Sequence, residues 1–263
     1  MEDKTRKRRY LHQADALAAW GHITRPFSEP IPTQAALSLP NSGGYGSARA
    51  EGFRFKEILS FGAAYTEVIG SEHSPDGPFD TLALCAIEKL NILDVVTCDR
   101  LVARISSRRD IDADGPEITT MGSRFERLRI GNHFFEELDL GAGVICECDT
   151  WKKLQEALQD GKKRESLAKS AMTAPNGERV ELPDPKRMPN KLGFSLAPGC
   201  GRSASIKEVP WSIPISQVGT VYLGEFFVSE YSRQLDMRRL ELGCPLAGSG
   251  GTGGAGGGGV PFP

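Results

Sequence analysis

Asp110, Asp112 and Asp114 alternate along "DIDADG", and Gly115 follows the third of them. Carboxylates at this spacing wrap a hard cation when a glycine permits the tight loop, as in the first half of a calcium loop. The second half is missing. Met121 stands where the twelfth position needs a bidentate glutamate, and Pro116 follows the glycine directly. Calcium at Asp110, Asp112 and Asp114 is thus one expectation, set against an ordinary acidic turn. A second set of carboxylates, Glu51, Glu88 and Glu126, recurs in similar surroundings. Two carboxyl groups held about 5–9.5 Å apart can hydrolyse a glycoside. Glutamates at fixed strand positions beside Lys89 and Arg127 equally make a solvent-facing charge ladder.

Other chemistries lack their parts. Cysteines stand at 85, 98, 146, 148, 200 and 244, too scattered for a secreted disulfide framework. Cys85 and Cys98 fall in strand-like runs and read as small core hydrophobes. Cys146 and Cys148 share a face if their segment is a strand, but zinc would need two further ligands from Cys200, Cys244 or His133. There is no Gly-x-Ser-x-Gly elbow and no His-Glu-x-x-His helix. His12, His22, His73 and His133 have no sequence neighbour that suggests a nucleophile–base pair. No cofactor is expected beyond calcium at the acidic turn.

The elements that would position these groups repeat. "AEGFRF" (50–55), "IEKLNI" (87–92) and "FERLRI" (125–130) share one pattern, with their glutamates 37 and 38 residues apart. "DGPFDT" at Asp76 and "DGPEIT" at Asp114 keep the same 38-residue step. Two unlike markers at one interval read as an internal duplication. Within "AIEKLNILDVVTCDRLVARI" the apolar alternation changes phase, which requires a bulge or corner, placed at Leu93–Asp94. Each unit therefore reads strand, corner, strand, with Gly131–Asn132 as a hairpin turn in the third. A weaker echo, "IKEVPW" (206–211), leads to strands at 220–228 and 235–242, with Pro210 and Pro214 pointing to an edge.

Around these units the chain divides by composition. Residues 1–9 form a basic disordered tail, and residues 10–243 form a single mainly-β domain whose first part, to about residue 45, is an extended lead-in. Strands run to about Cys148, and a helical insertion follows at 149–172, with Asp149 as cap and Gly161 weakening its middle. A Pro/Lys-rich loop occupies 173–204. The glycine-rich stretch 244–263 cannot build a core and is expected to be disordered. Thirty-two basic residues against 34 acidic give a net charge of −2, so no general attraction for nucleic acid follows. No apolar run reaches the ~20 residues of a membrane span.

"ADALAAWGHITRPFSEPIPTQAALSLPNSGGYGSARAEGF", "IEKLNILDVVTCDRLVARI", "GSRFERLRIGNHFF" and "VYLGEFF" resemble a group of uncharacterised bacterial β-rich proteins. More distantly they resemble the choice-of-anchor P proteins. That resemblance implies a bacterial, often exported β domain without assigned catalytic residues. The chain as written shows no signal h-region or anchor, which by itself reads as cytoplasmic.

The expected fold is a sandwich-like packing of strand-corner-strand units with one helical insertion, the alternative being a short β-solenoid. The expected function is a non-catalytic binding or structural module that joins a protein partner or itself, its small-molecule ligand unknown. The alternative is a carbohydrate-active hydrolase using Glu51, Glu88 and Glu126.

Overall fold

The computed structural model describes residues 9–74, 77–110, 112–141, 143–172, 181–198, 209–243 and 247–262. The chain opens with β1 (Arg9–Arg25), β2 (Glu29–Gln34) and β3 (Leu37–Ser38). Next come β4 (Gly44–Phe55), β5 (Leu59–Glu72), β6 (Phe79–Ile92), β7 (Val96–Arg109), β8 (Glu117–Thr119), β9 (Arg124–Ile130) and β10 (His133–Asp139). Three helices follow: α1 (Val144–Glu147), α2 (Trp151–Gln159) and α3 (Gly161–Ser170). The last strands are β11 (Leu192–Ser195), β12 (Ser212–Ile215), β13 (Gly219–Val228), β14 (Ser232–Leu242) and β15 (Ala247–Phe262).

These strands make two antiparallel sheets packed face to face: a β-sandwich, not a solenoid. The first sheet runs β11-β13-β14-β15-β1-β2, and the second runs β10-β9-β7-β6-β5-β4. One apolar core lies between them, with Ile87, Leu90, Leu101, Ile105, Phe125 and Leu128 of the second sheet fully buried. Burying each such side chain contributes about 1.5–3 kcal/mol.

The change of apolar phase has a structural cause, and it does not sit at Leu93–Asp94. Those two residues, both at positive φ, form the tight turn between β6 and β7. The alternation slips twice: in β6 at Lys89 (φ 54), where Ile87 and Leu90 point inward while Glu88 and Lys89 both face out, and in β7 at Asp99–Arg100, which both face out between buried Cys98 and Leu101. Gly52 (φ 60) in β4 and Arg127 (φ 52) in β9 take the same conformation directly after Glu51 and Glu126. A left-handed residue inserted in a strand is a bulge, which bends the strand and resets its alternation. The line continues into the first sheet at Gly224 (φ 59) and Gly253 (φ 71).

Several segments differ from expectation. Residues 9–25, read as part of an extended lead-in, are a strand paired along its length with β15. The Cys146–Cys148 segment lies at helix α1, not in a strand, so the two thiols are not held on one strand face. The helical insertion forms as α2 and α3, and it is capped by Thr150, whose hydroxyl accepts from the Lys153 amide at 3.1 Å. Asp149 instead pairs with the Lys153 ammonium at 2.7 Å. Asp160 splits the helices, its carboxylate accepting from the Lys162 and Lys163 amides.

The largest correction is the glycine-rich stretch. Residues 247–262 are a strand in the middle of the first sheet, hydrogen-bonded to β14 on one side and β1 on the other. Its missing side chains are what the position demands. A Cβ at Gly253 would collide with Leu101 Cδ2, and one at Gly257 would meet Ile105 at 3.1 Å, so the second sheet packs directly on the β15 backbone. The core that this strand could not supply comes from the sheet opposite. Lys4, Arg6, Lys7, Arg8, Asp76, Cys200, Ile206 and Cys244 lie outside the described residues.

Candidate functional site

The three glutamates do share one line across the second sheet. Glu51 is in register with Ala63, Ala63 with Glu88, Glu88 with Arg100, and Arg100 with Glu126. Neighbouring strands lie about 4.8 Å apart, so Glu88 and Glu126 stand roughly 10 Å apart with Arg100 between them. Glu51 pairs with Arg49, and Glu126 pairs with Arg124 at 2.8 Å. Two of the three glutamates are thus paired with an arginine of their own strand, and all three side chains reach solvent.

Asp110 and Asp114 line a surface cavity of about 490 Å³ together with Arg108, Glu117, Lys152 and Glu230. Asp114 is 88% exposed and has the Lys152 ammonium at 3.9 Å, and the Asp110 carbonyl closes the turn by accepting from the Ala113 amide. Among the described residues no three acidic, histidine or cysteine groups converge where they could hold a metal ion.

Sequence reading missed a histidine–hydroxyl pair, because its members come from different sheets. His12 Nδ1 lies 3.1 Å from Thr81 Oγ1, beside Tyr10 and Phe79. His12 is fully buried and Thr81 nearly so, and burial lowers the histidine pKa. This is a neutral imidazole in the core rather than a base open to substrate. The thiols are likewise quiet. Burial pushes Cys98 up to about 12 and Cys148 up to about 11, so neither supplies a thiolate near neutral pH.

A trough lies on the outer face of the first sheet. Its floor is β15, where Gly256 lies between Asp15 of β1 and Gln234 of β14, and Gly254 between Leu17 and Asp236. A strand without side chains between two that have them leaves a channel with walls about 10 Å apart. It encloses about 610 Å³ and presents Gln13, Asp15, Ser38, Asn41, Gln234 and Asp236. At Gly256 the space is open, the nearest atom to an added Cβ being the Arg233 carbonyl oxygen at 3.7 Å. Asp15 is fixed by the Ser38 hydroxyl, which donates to it at 2.5 Å. Asp236 accepts from the Gln234 amide at 3.2 Å.

Asp236 is electrostatically uncomfortable. Burial, and then the charge of Glu225 in register beside it, push its carboxyl up to about 6. Glu225 is itself buried and accepts from Nε and Nη2 along one edge of the Arg239 guanidinium, at 2.7 and 2.9 Å, and that guanidinium lies over the Tyr222 ring at 3.9 Å. Asp236 therefore keeps a charge at neutral pH that Lys191 and Arg239 offset only in part. Perturbed carboxylates of this kind gather at functional sites.

Fold and trough together define the class: a mainly antiparallel β-sandwich with an acceptor-lined groove on one sheet. The chain belongs to the family described as Domain of unknown function (DUF8256), whose model matches residues 10–229. Asp236 and the glycine floor lie beyond the matched span. Comparison with curated proteins and with solved structures finds no match. No helix among the described residues is long and apolar enough to cross a membrane.

Proposed function

We propose that the chain is a non-catalytic binding module that holds an extended, cationic segment of a protein partner in the trough of the first sheet. The reading rests on Asp236, a carboxylate kept half-buried beside another carboxylate and facing a groove with room in it. Two carboxylates and three carboxamides accept hydrogen bonds from lysine or arginine side chains and from the amides of an extended backbone. A hydrolase reading would assign the acid role to Asp236, whose raised pKa suits it. The surroundings of the two acids favour binding instead: Asp15 accepts from the Ser38 hydroxyl and Asp236 from the Gln234 amide, and their Cα atoms stand about 12 Å apart across the glycine floor, a span that suits an extended segment. We infer too that the hairpins β4–β5, β6–β7 and β9–β10 are copies of one unit, because each places its left-handed residue directly after the recurring glutamate.

Anisotropy of a labelled hexapeptide alternating lysine and glycine tests the binding reading. The wild-type chain should bind it, and Gly256→Phe, which fills open space on the floor, should weaken binding at least about tenfold. Affinity should also fall about tenfold from pH 7.5 to 5 as Asp236 takes up its proton. Equal binding by Gly256→Phe would move the site elsewhere.

A further inference from the structure

Arg238 of β14 points into the sandwich and is 2% exposed, yet it forms no ion pair among the described residues. Its Nε and Nη2 both donate to Thr252 Oγ1, at 3.2 and 3.0 Å, and its Nη1 has no partner. The chargeable group beside it is the Cys98 thiol, and that thiol is neutral: it donates to the carbonyl oxygens of Arg100 and Glu126. Burial brings the guanidinium down to about 9, so it still carries its charge near pH 7. An unpaired buried cation is among the most expensive things a core can contain.

Beside it lies a cavity of about 30 Å³, lined by Arg238 and Thr252 and otherwise largely by apolar side chains such as Trp20, Ile31, Leu59 and Leu240. That is room for one particle the size of a water molecule or a halide ion. Its lining offers two donors, Arg238, whose Nη1 has no partner, and the Thr252 hydroxyl, whose oxygen is already used as an acceptor twice; the exposed Ser249 lines it as well. Water would accept one of these hydrogen bonds but would leave the charge uncompensated.

We propose that this cavity is a buried site for a small monovalent anion of the halide class, held by the Arg238 guanidinium and the Thr252 hydroxyl between the two sheets. The anion supplies the counter-charge that the chain lacks, so it is part of the folded core and stabilises by mass action. The trough lies on the opposite, outer face of the same sheet, and the two sites stand on separate observations.

Thermal unfolding of the full chain in sodium chloride and in sodium gluconate at matched ionic strength tests this. The melting temperature should rise through the chloride series by several degrees more than through the gluconate series. Arg238→Met, which keeps the stem and removes the charge, should abolish the difference. If that variant does not fold, Thr252→Val retains the charge, removes the hydroxyl and should shrink the difference. Line broadening of the chloride-35 resonance gives a direct reading, large for the wild type and reduced at least about threefold for either variant. Identical melting in the two salts, or broadening unaffected by both substitutions, overturns the assignment.

Discussion

At the scale of single residues, the carboxylate chemistry of this chain divides into partnered groups and one that is held against its preference. The recurrence of Glu51 and Glu126 was legible but their partners were not: they pair with Arg49 and Arg124, two residues before them on their own strands, whereas Arg127 pairs with Asp99. Asp236 was not legible. Its raised pKa comes from burial and from Glu225 on the neighbouring strand, and no spacing along the sequence shows either. The sign of its effect is definite. The folded state holds the Asp236 proton up to about pH 6, whereas the unfolded chain releases it near 3.8. Its stabilising contribution is therefore complete below pH 3.8 and lost as pH rises through about 6, which leaves the fold weaker by on the order of 3 kcal/mol at neutral pH. Asp236→Asn should melt higher than wild type at pH 7.5, and the gap should close between pH 6 and 4. A gap that persists at pH 4 would assign the stabilisation to something other than the charge.

At the scale of elements, the hairpins could be read because their apolar residues alternate and their turns carry recognisable residues. Gly131–Asn132 joins β9 to β10 as its sequence implies. The corner was misplaced because no residue type marks it: Lys89 takes a left-handed conformation that glycine usually marks, and the second slip falls at the charged pair Asp99–Arg100. The opposite error befell β15, where glycine signals flexibility only if nothing packs on it. Its glycines are of two kinds, and substitution separates them. Gly253 sits at φ 71 with Leu101 and Met237 against it. Gly253→Ala should cost about 2–4 kcal/mol, from the left-handed strain and the overpacking together. Gly256→Ala meets no atom closer than 3.7 Å and should change stability by no more than about 0.5 kcal/mol. Urea denaturation of both reads the difference. Equal losses would mean that β15 does not press against the second sheet as described.

At the scale of the whole molecule, β15 decides whether there is one sheet or two fragments. It lies between β14 and β1, so β11-β13-β14 and β1-β2 reach each other only through it. Removing residues 244–263 would strip ladder partners from two long strands at once and leave their backbone groups to water. It would also uncover Leu101 and Ile105, which rest on its glycines. A shortened chain ending at Gly243 should lose cooperative thermal unfolding and bind a hydrophobic dye, as a sandwich with one opened sheet would. Adding a synthetic peptide of residues 244–263 should restore the cooperative transition, since an extended strand can insert between two unpaired edges. Cooperative melting of the shortened chain at the wild-type temperature would mean instead that β1 and β14 find each other without it. In that case the glycines would be an adaptation to the trough alone, and their close approach to the second sheet would carry little of the stability.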